Sequence, residues 1–243
     1  MFHNQTGKLL SMLSEKKNRK WLYGDSWEKF PIEDGEVWQV GKHILAVKDI
    51  TELSNLDFFG ISRFDISYCD PPWSTGNLNA FYTKAGFSQR KKFEPFMEKL
   101  INLISTYSPR INYLEMGRQN LDFVTKLITS QNGIVTNIWK IKYYHKHPCF
   151  LIRYSFETPM IIDFDFTGID DEFTPRLAMQ FEPNINSVLD LCTGIGLTAR
   201  TAHSLGKTFF GTELNKRRLA CLIEFFYQQG LPIQNMSHNQ IGR

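Results

Sequence analysis

Residues 187–213 constrain the fold of this chain more than any other stretch. Ser187-Val188-Leu189-Asp190-Leu191 is a compact buried-strand pattern that runs into Cys192-Thr193-Gly194-Ile195-Gly196-Leu197-Thr198-Ala199. A helix is predicted from there through about Leu205, then a second strand over Lys207–Gly211 that ends at Thr212-Glu213. Strand, Gly-x-Gly-x-x-Ala, helix, strand and acid in this order make a parallel βαβ unit. Glycine lets a backbone turn sharply and approach a ligand with no Cβ in the way. Glu213 lies about 20 residues past the first glycine, where a carboxylate accepts both hydroxyls of a ribose. A lone Gly-x-Gly is an ordinary helix-capping turn; with strand, helix and acid in register it reads as a nucleoside-cofactor site. The spacing alone fits a dinucleotide as well as S-adenosylmethionine.

Position narrows the choice. Only thirty residues follow Glu213, enough for one helix over Lys216–Gln229 before Gly230. A doubly wound sheet needs several more strands than that, so they must come from earlier in the chain. The expected fold is α/β and Rossmann-like: a mostly parallel central sheet with helices on both faces and its cofactor strands last. A dinucleotide dehydrogenase normally starts from its glycine loop, so this permuted order weighs against that cofactor.

The earlier strand of most interest is Arg63–Cys69, which ends in Asp70-Pro71-Pro72-Trp73. Two prolines stop strand pairing and hold the backbone stiff and extended. Asp70 and Trp73 are thereby held at a strand's carboxyl end, with the Pro71 carbonyl between them lacking a ladder partner. An acceptor pair beside a flat ring suits the gripping of a planar amino group.

Around this lie supporting elements. Asp34–Val47 reads as two short strands about a Gly41 turn, and His43 there is expected to be structural. Ser74 to about Lys92 reads as a long loop insertion, and Phe81, Tyr82, Lys84, Arg90, Lys91 and Lys92 in it interleave aromatics with cations as nucleic-acid contacts do. Helices are predicted over Glu94–Tyr107, Asn120–Ser130 and Pro175–Phe181, and strands over Ile111–Glu115, Ile134–Ile141 and Phe150–Phe156. His145-Lys146-His147, in the turn between the last two strands, has no neighbouring Cys, Asp or third His and makes a weak metal site; no metal is expected. Asp163–Glu172 reads as an acidic surface crossing. Residues 1–33, with Lys16, Lys17, Arg19 and Lys20, form a basic arm or helix ahead of a single domain over 34–243. A net charge of +3 makes any nucleic-acid footprint local, and four cysteines without paired spacing fit a reducing, cytoplasmic compartment. No apolar run is long enough to span a membrane.

These residues resemble the S-adenosylmethionine-dependent amino-methyltransferases of adenine-N6 and cytosine-N4, in the permuted motif order called the β class. Asp70-Pro71-Pro72-Trp73 matches the family's catalytic motif, an Asp, Asn or Ser before Pro-Pro and an aromatic. Leu189–Thr198 is similar to its cofactor motif, although Leu191-Cys192 replaces Pro-Phe and Ile195 replaces Ser. Gly211-Thr212-Glu213-Leu214-Asn215 is similar to its ribose-binding step. Gly35, Trp38, Gly41 and His43 resemble a lead-in of bacterial and phage DNA methyltransferases. The resemblance implies S-adenosylmethionine as cofactor, with Asp190, Cys192, Thr193, Gly194, Gly196, Thr198, Glu213, Leu214 and Asn215 around it. It implies methylation of adenine N6 in DNA by in-line transfer to a flipped base. Trp73 in place of the commoner Tyr also resembles the eukaryotic messenger-RNA adenine methyltransferases, so RNA stays open, as do cytosine N4, a non-catalytic nucleic-acid-binding subunit and a homodimer.

Overall fold

The structure, a computed structural model, describes residues 23–237. In chain order they form α1 (Ser26–Lys29), β1 (Val37–Val40), β2 (His43–Val47), β3 (Ile66–Cys69), α2 (Thr75–Lys84), α3 (Phe93–Tyr107), β4 (Asn112–Met116) and α4 (Leu121–Ser130). The chain continues through β5 (Ile134–Tyr143), β6 (His147–Ser155), α5 (Thr174–Phe181), β7 (Ser187–Asp190), α6 (Leu197–Ser204), β8 (Thr208–Glu213), α7 (Lys216–Gln228) and β9 (Ile233–Asn235). One sheet joins the strands in the order β5-β6-β4-β3-β7-β8-β2-β1-β9. Its centre, β4-β3-β7-β8-β2, is parallel, and an antiparallel pair flanks it on each side. The expected α/β fold with the glycine strand late in the chain is therefore what forms.

Burial explains why the central strands are so apolar. Every residue of β3 and β4 is buried, as a parallel strand covered on both faces requires. One core packs α5, α6 and α7 on one face, through Ala178, Met179, Ala199, Ala202, Leu219 and Leu222. The other packs α3 and α4 on the opposite face, through Phe96, Met97, Leu100, Ile101, Val124 and Ile128. A buried ion pair ties the β4–β6 side to the end of α5. Arg153 donates to Glu182 at 2.5 and 3.1 Å, and the Tyr113 hydroxyl donates to the same carboxylate at 2.7 Å.

Three expectations change. Ser74–Lys92 is not a long loop: α2 occupies Thr75–Lys84, capped by the Ser74 hydroxyl, which accepts from Asn77 N at 3.2 Å. Gly76 and Asn77 weaken the helical signal there, but Leu78 and Tyr82, four residues apart, share a buried face that tertiary packing rewards. Residues 163–172 do more than cross the surface, since Phe166 is fully buried and Lys142 pairs with Asp170 in a parallel bridge. The short β9 edge strand, with three residues and no strong alternation, went unread in the sequence. The basic stretch with Lys16, Lys17, Arg19 and Lys20 lies outside the described residues. What is described of that region, α1, is fastened to α7 by Ser26 and Lys29 on Glu224 at 2.5 and 2.7 Å.

Candidate active site

The two motifs lie side by side because β3 and β7 are sheet neighbours, with Ile66 opposite Val188 and Ser67 opposite Leu189. Connections from β3 lead toward β4 and those from β7 toward β8, so the chain reverses its winding between them. At such a switch point the two loops diverge and leave a crevice at the strands' carboxyl ends. Asp70 follows β3 directly, and Asp190 ends β7. The Leu191 N–H points at Cys69 Sγ at 3.4 Å, so the two exits are in contact. A concavity of about 570 Å³ with Asn186 and Lys207 on its wall lies at the sheet's amino edge, away from these motifs.

Asp70 is held by the ring that follows it. The Trp73 indole N–H donates to Asp70 Oδ1 at 2.9 Å, which leaves Oδ2 for another donor. Trp73 in turn lies against Gly117, where a Cβ would meet its Cε3 at 2.9 Å, and its carbonyl accepts from Asn120 Nδ2 at 2.7 Å. Asp70 is an exposed residue, yet the protein packed around its carboxyl pushes the pKa up to about 7. The Trp73 hydrogen bond and the nearby Arg218 guanidinium oppose that rise. Arg218 itself is buried on α7, with its guanidinium 4.8 Å over the Phe81 ring.

Next to it, the glycine loop is built mostly from backbone hydrogen bonds. Thr193 N donates to Thr212 O at 3.0 Å, and Gly196 N to Thr193 O at 2.9 Å. Gly196 has φ of 89°, and a Cβ there would collide with the Leu222 side chain; Gly194 has φ of 59°, and a Cβ there would meet only the Cys192 carbonyl, at an ordinary 3.9 Å. Both positions favour glycine, the first doubly so. Glu213 accepts Gly194 N at 2.7 Å and Asn215 N at 2.8 Å, one on each oxygen. The carboxylate thus clamps the loop, and each oxygen retains a further lone pair. Asp190 Oδ1 accepts Cys192 N at 2.9 Å, and burial raises its pKa to about 7. Thr198 is buried in the first turn of α6, while Cys192 and Leu214 are half-buried beside the loop. Asn215 is committed to the fold: it caps α7 through Arg217 N and donates to Tyr23 Oη and Lys84 O, both at 3.2 Å.

Among the residues expected to contact nucleic acid, the structure separates two groups. Tyr82 is buried and donates to Asp49 Oδ1 at 2.6 Å, and Lys91 Nζ reaches Thr51 at 2.9 Å and Glu52 at 2.6 Å. These two fasten the α2–α3 segment to residues 49–52 and are not offered to a ligand. Lys84, Arg90 and Lys92 are exposed or half-exposed, and Phe81 is half-buried under Arg218.

Other residues join the site from a distance. Glu115, buried on β4 beside β3, accepts the Tyr68 hydroxyl at 2.5 Å and Thr174 at 3.3 Å. Burial, and then the charge of Asp70, hold the Glu115 carboxyl well above the usual carboxylate range. Tyr143 sets its ring 4.7 Å from Trp73. Neither carries a local signal, because a buried Glu on a strand and a Tyr at a hairpin end look ordinary in one dimension. His145 pairs with Asp170, and its Nε2 lies 3.8 Å from Glu172, carboxylates that come from about 25 residues away. His43 is structural as expected: buried, accepting Phe209 N on Nδ1 and facing His203 Nδ1, each at 3.1 Å.

No family model matches the chain, and no curated protein matches its sequence. Solved structures do share its fold. M1.HpyAVI in complex with SAM aligns over 74% of this chain and 97% of its own, with a TM-score of 0.56 and 11% identity. TTHA0409 from Thermus thermophilus, described as a putative DNA modification methylase, aligns over 77% and 95%, with a TM-score of 0.54 and 15% identity. PvuII DNA methyltransferase, cytosine-N4-specific, aligns over 77% and 89%, with a TM-score of 0.52 and 9% identity. At these identities the likeness is one of fold, and the fold is that of DNA methyltransferases.

Proposed function

We propose that this chain transfers a methyl group from S-adenosylmethionine to the exocyclic N6 amine of adenine in DNA. The single observation that carries the reading is the contact between the Asp70 turn and the glycine loop at one switch point. Two structures of the same fold, M1.HpyAVI and TTHA0409, are described as complexes with this cofactor. The loop fits such a ligand: Gly194 turns in a left-handed conformation with no close contact at its Cβ position, and two acids, Asp190 and Glu213, line it. In this reading the main chain at Thr193–Gly196, with Thr198 beside it, cradles the amino-acid part of the cofactor. Glu213 accepts from its ribose.

When bound, S-adenosylmethionine supplies an electrophilic methyl on a sulfonium. Asp70 Oδ2 and the Pro71 carbonyl each accept one hydrogen of the amine, which localises a lone pair otherwise delocalised into the ring. Trp73 fixes Asp70 through its indole N–H and offers a flat face to the base. Positioning of this kind lowers the barrier without a strong base. Asp70 then takes the proton released from the methylated amine, a role suited to a carboxyl near pKa 7.

Incubation with labelled S-adenosylmethionine and mixed-sequence DNA or RNA, followed by nucleoside mass spectrometry, is expected to yield N6-methyladenine. Asp70→Ala should bind the cofactor as before and lose at least ~10³-fold in transfer rate, an effect of more than about 4 kcal/mol on the barrier. Undiminished transfer by that variant, or no transfer by the unaltered chain, defeats the reading. Cytosine N4 is the second reading, because the PvuII enzyme of this fold is cytosine-N4-specific; N4-methylcytosine in the same experiment would select it.

A further inference from the structure

The β5–β6 hairpin reaches beyond the sheet and ends in a turn that its sequence makes costly. Tyr144 and His145 have φ of 50° and 62°, and Lys146 N donates to Tyr143 O at 3.2 Å. This is the mirror-image turn that normally takes Asn-Gly, because other side chains crowd the backbone at positive φ. The tip is nevertheless firmly braced. Asp171 N donates to Lys142 O at 2.7 Å, Lys142 N to Ile169 O at 2.8 Å, and Tyr144 N to Asp171 Oδ1 at 3.1 Å. His145 has an evident purpose, its ion pair with Asp170.

Tyr144 lies at the surface of the same turn. Its side chain is 52% exposed, and its ring stands 4.2 Å from Tyr143, which stands 4.7 Å from Trp73. An aromatic ladder therefore runs from the Asp70 motif outward to the surface. Lys140 and Lys142 lie exposed on the outer face of β5, which is an edge strand, and Lys146 is exposed at the tip. The neighbouring acids Asp170 and Asp171 are already engaged by His145 and by Tyr144 N–H, and Glu172 lies against His145. Aromatic rings in line with exposed lysines are the combination that stacks bases and neutralises phosphates.

We propose that this hairpin tip is a DNA-contact element: Tyr143 packs against Trp73 and carries the aromatic surface outward, and Tyr144 stacks on an unpaired base next to the target. The proposal deepens the functional reading above and rests on it for the choice of ligand.

The test is fluorescence anisotropy with a fluorescein-labelled duplex of about two helical turns carrying one central unpaired adenine, with a fully paired duplex and an RNA of the same sequence alongside. Tyr144→Ala is expected to weaken binding to the interrupted duplex roughly 5- to 150-fold, the range of one lost base stack. Tyr144→Phe should bind as the unaltered chain does. Lys142→Ala with Lys146→Ala should reduce the slope of log affinity against log salt by about 1–2. An unchanged melting temperature for Tyr144→Ala shows that the fold stands. Affinity for the interrupted duplex that Tyr144→Ala leaves unchanged overturns the proposal, as does the absence of DNA binding or a loss confined to the RNA. Methyl transfer measured on the unaltered chain separates this from the functional reading. Tyr144-dependent binding without transfer leaves the hairpin standing and the enzyme refuted, and transfer indifferent to Tyr144 does the reverse.

Discussion

The two halves of the cleft are built by different means. On the β7–β8 side, the glycine loop is shaped by backbone groups and by acids within about 20 residues of one another: Asp190 on Cys192, Glu213 on Gly194 and Asn215. On the β3 side, only the Asp70–Trp73 bond is local. The rest is assembled from afar, with Asn120 on the Trp73 carbonyl, Gly117 against its ring and Tyr143 beside it. A site made from backbone conformation tolerates changed side chains, which is why Leu191-Cys192 and Ile195 leave the loop intact. A site made from side-chain contacts is defined by whatever elements the fold delivers to it.

The sharpest way to break this contrast is a pair of glycine substitutions in the same loop. Gly196→Ala adds a Cβ that collides with Leu222 at a φ of 89°, whereas Gly194→Ala adds one at a φ of 59° that meets only the Cys192 carbonyl at 3.9 Å. The first should cost about 2–4 kcal/mol of stability, from overpacking and left-handed strain together. The second should cost only about 1–2 kcal/mol from strain. Denaturant unfolding of both variants checks the order, and equal costs would mean that conformation alone, without the helix behind it, shapes the loop.

A pH experiment addresses both halves at once. Asp171 and Asp190 are raised from 3.8 to about 7, chiefly by burial, and Glu115 and Glu213 are raised as well. A carboxyl whose folded pKa exceeds its unfolded one stabilises the fold below the unfolded value, and that stabilisation drains away as pH climbs to the folded value. His43 acts in the opposite sense, since its pKa falls from 6.5 to about 4, again mainly through burial. Its contribution grows as pH climbs from the folded value to the unfolded one and is then constant. The buried carboxyls outweigh His43 and His203, whose pKa burial also lowers, so stability should fall as pH rises from about 5 to about 7.5. The expected drop in melting temperature is at least about 2–4 °C, the equivalent of ~1 kcal/mol in a chain of this size. Asp190→Asn and Glu115→Gln should each flatten the profile, and a midpoint that rises with pH would show that burial does not govern these acids.

The same contrast explains what was legible in the sequence. The βαβ unit at 187–213 and the Asp70-Pro71-Pro72-Trp73 turn were readable because proline, glycine and apolar runs act on their own few residues. Counting strands puts both in one sheet, and the structure makes β3 and β7 neighbours in it. The hairpin's part in the site was not readable: Tyr143 and Trp73 lie far apart in the chain, and nothing near either announces the other. The segment 74–92 failed for a related reason. Gly76 and Asn77 speak locally against a helix, and the buried face of Leu78 and Tyr82 prevails only because residues 49–52 lie opposite, with Asp49 taking the Tyr82 hydroxyl.

The smallest predicted effects fall on that segment, where the aromatic and cationic residues looked alike in one dimension and differ in three. Tyr82→Phe removes a hydroxyl that donates to Asp49 Oδ1 at 2.6 Å. It should cost about 1 kcal/mol, or roughly 2–4 °C in melting temperature, while leaving nucleic-acid affinity unchanged. Arg90→Ala should do the opposite, since Arg90 is exposed on the connection into α3. Its melting temperature should hold within experimental error. If Arg90 meets a phosphate, the slope of log affinity against log salt falls by about 0.9. A Tyr82 variant that binds weakly, or an Arg90 variant with an unchanged slope, would reverse the division between the residues that fasten α2 and those it presents.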